Sequence, residues 1–208
     1  MSDGKPETGL LFERMVFFSD AVFAIAITLL VLDLKLPPGS HGVVDLDAIG
    51  PKLFGFALSF LVIGNYWLNH HHLFGTVRAD DGLVRVVNLA FLAGVIFLPF
   101  PTSVIAEFQP TSSSVQLYAL TVAAVGFLLM LLTVVARRAA LLRPGETRGE
   151  TARAVLRSLG APLMFLATSF VAASDPRLAM RLWWLLIPVM RLGALAGRWA
   201  KRRLDAAV

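Results

Sequence analysis

Residues 17–34 read FFSDAVFAIAITLLVLDL. The run is long enough to cross a hydrocarbon core as a helix, yet Ser19 and Asp20 stand side by side near its start. An ionised carboxylate at membrane depth costs about 3 kcal/mol or more unless another group partners it. The stretch therefore predicts a spanning first helix whose polar pair is met by other helices of the same protein.

The rest of the chain has the same character. Of its 208 residues, 57% are hydrophobic and 16% charged, with a mean hydropathy of +0.72, a balance that belongs to bilayer-spanning proteins. The net charge of +5 does not indicate nucleic acid, because the basic residues sit in short clusters between apolar runs. With no cysteine, neither disulfides nor thiolate metal sites are available. The first apolar run is too long, and its Asp20 too polar, for a cleavable signal peptide, so it is expected to be retained.

Six spans of roughly 20 residues or more are expected, over 12–35, 50–74, 83–105, 114–137, 153–173 and 179–199. Between them lie Pro37-Pro38-Gly39, Asp80-Asp81-Gly82, Gln109-Pro110 with Ser112 to Ser114, Arg143-Pro144-Gly145 and Asp175-Pro176, all breaker sequences. Period-2 alternation is absent, so a membrane β-barrel is not a competitor. The predicted class is an all-α integral membrane protein, with residues 1–208 forming a single six-helix unit.

Orientation follows from the basic residues. Lys5 and Arg14, Arg78 and Arg85, Arg137 to Arg157, and Arg198 to Arg203 share one side; the other holds only Lys35, Lys52, Arg177 and Arg181. Both termini are therefore expected to be cytoplasmic. Trp183 and Trp184 are then placed at the outer interface and Trp199 at the inner one. Arg191 falls within the sixth span unless it snorkels or the helix leaves the membrane after Pro188.

Stepping about 100° per residue along the first helix collects Phe18, Ala21, Ile25, Thr28, Leu29 and Leu32 into one stripe, continuing down to Arg14. Ser19 and Asp20 point away from it. Asp20 lies about 12 Å from the cytoplasmic end, the level of Trp67 to His71 on the antiparallel second helix, with Asn88 near that depth on the third. The segment GNYWLNHHHLF supplies Asn65, Asn69, His70, His71 and His72, the densest polar cluster within any span. This cluster is expected to be a buried hydrogen-bond network that docks the first helix, in the manner of polar packing glue. Two other roles stay open: a proton relay through histidine, and a metal site. The metal site is weak, because three consecutive helical residues point about 100° apart.

Arg14-x-x-x-Phe18-Ser19-Asp20 and the following Ala21 to Leu32 resemble the first-helix signature of the transmembrane protein 175 family, endolysosomal and prokaryotic potassium channels. The similarity continues through Trp67 to Phe74, Asn88, and Leu98-Pro99-Phe100-Pro101-Thr102. It covers the first half of the chain, and the single unit is similar to the prokaryotic members. The resemblance implies a homotetramer around a central pore lined by the first helix, in the plasma membrane. Ile25, Leu29 and Leu32 match its hydrophobic constriction, and Thr28 a pore-lining hydroxyl. Arg14, Phe18, Ser19 and Asp20 match the motif tying the first helix to the second and third.

A carbonyl filter of the Thr-Val-Gly-Tyr-Gly kind is absent. A potassium pathway in this chain would rest on side-chain rings spanning about 10 Å from Ile25 to Leu32, discriminating by ease of dehydration. Asp33, at the outer mouth, either concentrates cations or is a solvated end-of-span charge. No cofactor is expected; the partners are K+ and other monovalent cations, the bilayer and further copies of the chain, with no nucleic acid. The alternatives are a proton channel, or a proton-coupled transporter using Asp20 and His70 to His72. Against a transporter, no inverted repeat or pair of broken spans is visible. An enzyme is disfavoured because no nucleophile–base pair occurs.

Overall fold

The computed structural model describes residues 7–35, 45–77, 81–107, 110–138 and 147–206. Eight α-helices are found there: α1 (Glu7–Val31), α2 (Leu46–Phe74), α3 (Gly82–Phe97), α4 (Pro99–Glu107), α5 (Ser112–Arg138), α6 (Arg148–Ser174), α7 (Pro176–Leu182) and α8 (Leu186–Asp205). They make six stretches long and apolar enough to cross a membrane: Gly9–Val31, Ile49–Phe74, Gly82–Glu107, Ser112–Arg138, Gly149–Ser174 and Pro176–Asp205. The expected breakers at Pro37-Pro38-Gly39 and Arg143-Pro144-Gly145, along with Asp80, Gln109, Lys5 and Arg78, lie outside the described residues.

Two spans are broken where continuous helices are expected. The third divides at Leu98. Pro99 cannot donate to the carbonyl four residues earlier and its ring crowds that turn, and Pro101 repeats the defect. The sixth divides at a 3-10 turn, Trp183–Leu185, so the break precedes Pro188, which sits in the first turn of α8 where proline is tolerated. Arg191 is exposed on α8.

The N-termini of α3, α6 and α7 are capped by side chains. Asp81 accepts from the Leu83 and Val84 amides, and Asp175 from that of Leu178, with Pro176 opening α7. Thr147 and Glu150 form a reciprocal capping box at α6. Each satisfies amides that the helix itself leaves without a carbonyl.

Packing follows the small residues. α8 carries Gly193 and Gly197 four apart, and α6 lies so close there that a Cβ on Gly197 would stand 2.7 Å from the Arg153 carbonyl oxygen. This is close helix approach through a small-x-x-x-small pattern. On the other side of α6, Pro162 fits over Gly126 of α5, where an added Cβ would stand 2.6 Å away. Trp183 is buried, its ring tilted against Tyr118 and Phe165 with centroids 5.0 and 5.4 Å away, and it donates to Thr168 Oγ1 at 2.9 Å. It is a core residue, contrary to its expected interfacial place. Trp184 and Trp199 do project outward. α1 rests against α2, α3 and α4, with its remaining edge uncovered.

Candidate functional site

The two faces of α1 differ sharply. Ser19, Val22, Phe23, Ala26 and Leu30 are buried against the bundle, whereas Arg14, Phe18, Ala21, Ile25, Thr28, Leu29 and Leu32 are exposed on the single chain. α1 ends at Val31, so Leu32 lies in the terminal turn, its amide donating to the Leu29 carbonyl at 3.1 Å. The Thr28 hydroxyl donates to the Ile25 carbonyl at 2.9 Å. That bond uses the hydroxyl proton and leaves the oxygen able to accept.

On the buried face, three helices share one chain of hydrogen bonds. Ser19 Oγ donates to the Met15 carbonyl at 2.8 Å, so it must accept from Asn88 Nδ2 at 3.0 Å. Asn88 Oδ1 is then the acceptor for His70 Nε2 at 2.9 Å, which fixes the His70 proton on Nε2. The His70 ring lies among Phe23, Phe74 and Phe91, with centroids 5.5, 4.4 and 5.6 Å away. Ser19, His70 and Asn88 are each almost wholly buried. Direction is therefore set throughout, and an amide sits mid-chain; a carboxamide does not pass protons as water or imidazole does. The arrangement is suited to fixing the rotation of α1.

Asp20 is met separately. Trp67 Nε1 donates to its Oδ1 at 3.0 Å, and the Trp67 ring packs on His71, centroids 5.5 Å apart. Asn65 and Asn69 are not brought into either set. Asn69 Nδ2 donates to the carbonyl and side-chain oxygen of Asn65 at 2.9 and 3.1 Å, an i, i+4 pair along α2 that the sequence-level depth estimate could not separate from interhelical contact. His71 and His72 face outward. Among the described residues, no three of His, Asp and Glu are grouped to hold a metal.

Beyond the far end of α1, Asp33 lies near Glu107 of α4, Lys35 and Lys52. Partial burial, then the Glu107 carboxylate, push the Asp33 pKa up, while the two lysines oppose the rise. Sequence reasoning missed Glu107, although its position closing the third span, on the Asp33 side, was the available signal. It also missed a second buried cluster. Ser59 Oγ lies 2.7 Å from Thr102 Oγ1 and 3.0 Å from the Tyr118 hydroxyl, tying α2, α4 and α5 together.

Residues 14–99 match the family model described as the endosomal/lysosomal potassium channel TMEM175. A potassium channel of Streptomyces collinus is 45% identical over 98 residues, covering 46% of this chain and 48% of its own. Over residues 14–99 the chain carries the TMEM175 family sequence. Members of the family are channels rather than enzymes. The endosomal/lysosomal proton channel TMEM175 of Homo sapiens is 36% identical over 112 residues, covering 47% of this chain and 22% of that protein. The crystal structure of a lysosomal potassium-selective TMEM175 homologue from Chamaesiphon minutus superposes with a TM-score of 0.72 at 27% identity. It spans 89% of this chain and 97% of its own. The chain spans about half the length of the curated bacterial relatives it matches, 48%, 54% and 51%. The family model matches residues 14–99, whereas the fold agrees over 89% of the chain.

Proposed function

We propose that the chain is one subunit of a homotetrameric, potassium-permeable cation channel, with four α1 helices around a central pore and both termini cytoplasmic in the plasma membrane. The observation that carries this is the uncovered edge of α1. Ile25, Thr28, Leu29 and Leu32 are left outside the bundle while the opposite face is locked inward through Ser19. Four such edges would form apolar rings at Ile25, Leu29 and Leu32 with hydroxyl oxygens of Thr28 between them. Apolar rings cannot coordinate an ion, so they favour the cation that gives up hydration water more readily, and they close by dewetting. Potassium is favoured over sodium on that basis, by a modest factor. Asp33 with Glu107 would place negative potential at one mouth and raise local cation concentration there. The names of the bacterial relatives support potassium as the permeant ion.

A second reading, proton conduction, draws on the name of the human relative and on a cleft of about 210 Å³ beside Asp20, bordered by Glu13 and His71. Reversal potentials of the purified protein in planar bilayers, under separate potassium, sodium and pH gradients, decide between them. A reversal potential that follows the potassium gradient supports the first proposal. One that follows only the pH gradient replaces it with the second.

A further inference from the structure

Away from α1, a cavity of about 190 Å³ opens where α2 and α5 end and α6 begins. Its walls carry Arg137 of α5, Arg153 and Arg157 of α6, and His72 of α2. Arg153 and Arg157 are four apart, so they share one helix face. Arg157 lies eight residues beyond the start of its span at Gly149, about 12 Å along the helix. A guanidinium at that depth requires an acceptor or a water-filled space.

The acceptors nearby are committed elsewhere. Glu150, the carboxylate of this cavity, is held by Lys201 Nζ at 2.7 Å. His72 Nδ1 stands 3.3 Å from Arg157 Nη2, but it is also hydrogen-bonded to the Leu68 carbonyl. A carbonyl only accepts, so His72 Nδ1 carries the proton there and offers Arg157 no lone pair. Arg137 Nη1 donates to Thr151 Oγ1 at 2.8 Å. Among the described residues, no acidic side chain pairs with Arg153 or Arg157. Arg153 and Arg157 thus border a small space whose single carboxylate is already matched.

We infer that this cavity binds a phosphate group, gripped by the paired forks of Arg153 and Arg157 with Arg137 behind them. Guanidinium forks match phosphate oxygens two at a time. Basic pockets between spans, at the level of the membrane surface, are where anionic headgroups are held. A lipid headgroup and a free phosphate compound present the same chemistry.

The test is thermal unfolding of the full chain in phosphatidylcholine nanodiscs, in two arms. One arm adds phosphatidylglycerol to the disc, the other inorganic pyrophosphate to the buffer. The wild-type melting temperature is expected to rise in at least one arm. A rise in the first arm alone assigns the lipid headgroup; a rise in the second assigns a free phosphate. In Arg153→Gln/Arg157→Gln the anion concentration giving half of the rise should increase at least about tenfold, while Arg191→Gln on the exposed face of α8 should leave it unchanged. Arg153→Gln alone removes an exposed side chain and should weaken the response even if the double variant fails to assemble. No rise in either arm overturns the inference. So does a rise undiminished by Arg153→Gln, or one diminished equally by Arg191→Gln.

Discussion

Replacing Asn88 by alanine removes the hinge between α1 and α2. Two hydrogen bonds disappear, at 2.9 Å to His70 and 3.0 Å to Ser19, and the effects on the two partners differ. His70 Nε2–H is left as a buried donor without an acceptor, at about 1–3 kcal/mol. Ser19 keeps its bond to the Met15 carbonyl, so its loss is nearer the ~0.6 kcal/mol average for interhelical bonds in membranes. Asn88→Ala should therefore cost about 2–3 kcal/mol. Ser19→Ala should cost about 1 kcal/mol or slightly more, because it strands Asn88 Nδ2–H. Once Asn88 is gone, Ser19→Ala has no amide left to strand, so the double variant should fall short of the sum by about 1 kcal/mol. Unfolding of the purified protein in mixed detergent–dodecyl sulfate micelles measures all three. Costs that add to within about 0.4 kcal/mol would show that Ser19 and Asn88 act independently, and the chain joining α1 to α3 would have to be abandoned.

Ile25→Ala and Leu29→Ala should each widen the constriction and reduce the preference for potassium over sodium, read as a shift of the bi-ionic reversal potential toward zero; unchanged potentials in both variants count against the ring assignment. Asp20→Ala should lower the yield of assembled protein more than it alters ion preference, and Trp67→Phe, which deletes the donor at 3.0 Å, should act in the same direction. An intact assembly with shifted preference would put Asp20 on the ion path. Because burial and Glu107 raise the Asp33 pKa, its charge is present above that raised value and lost as pH falls through it. Single-channel conductance at low salt should fall on acidification at a pH above the ordinary aspartate value, Glu107→Gln should move that fall to lower pH, and Asp33→Asn should remove the Asp33 share of it.

The six spans were legible because a bilayer demands long apolar helices, and little else fits runs such as 17–34. Depth counting also found the right neighbours for the polar pair, since antiparallel helices fix which residues share a level. Rotation was less accessible. Asn69 sits at a plausible depth yet bonds back to Asn65, and nothing in the spacing distinguishes the two outcomes. The break at Leu98 was written in Pro99 and Pro101 but hidden by the even hydropathy around them. The break at Trp183–Leu185 has no breaker residue; it arises where Trp183 turns inward against Tyr118 and Phe165, a tertiary demand. Gly193 and Gly197 did announce the α6–α8 contact through their spacing, a signal overlooked beside the arginines of the same segment.

The uncovered edge of α1 is examined most directly with a single thiol, since the chain has no cysteine of its own. In Leu29→Cys protein reconstituted in planar bilayers, a charged, membrane-impermeant thiosulfonate added to the aqueous phase should block potassium current, and leave wild-type current intact. Current that persists unchanged, while a lipid-soluble maleimide labels the same cysteine, would put Leu29 against lipid and contradict a pore lined by α1.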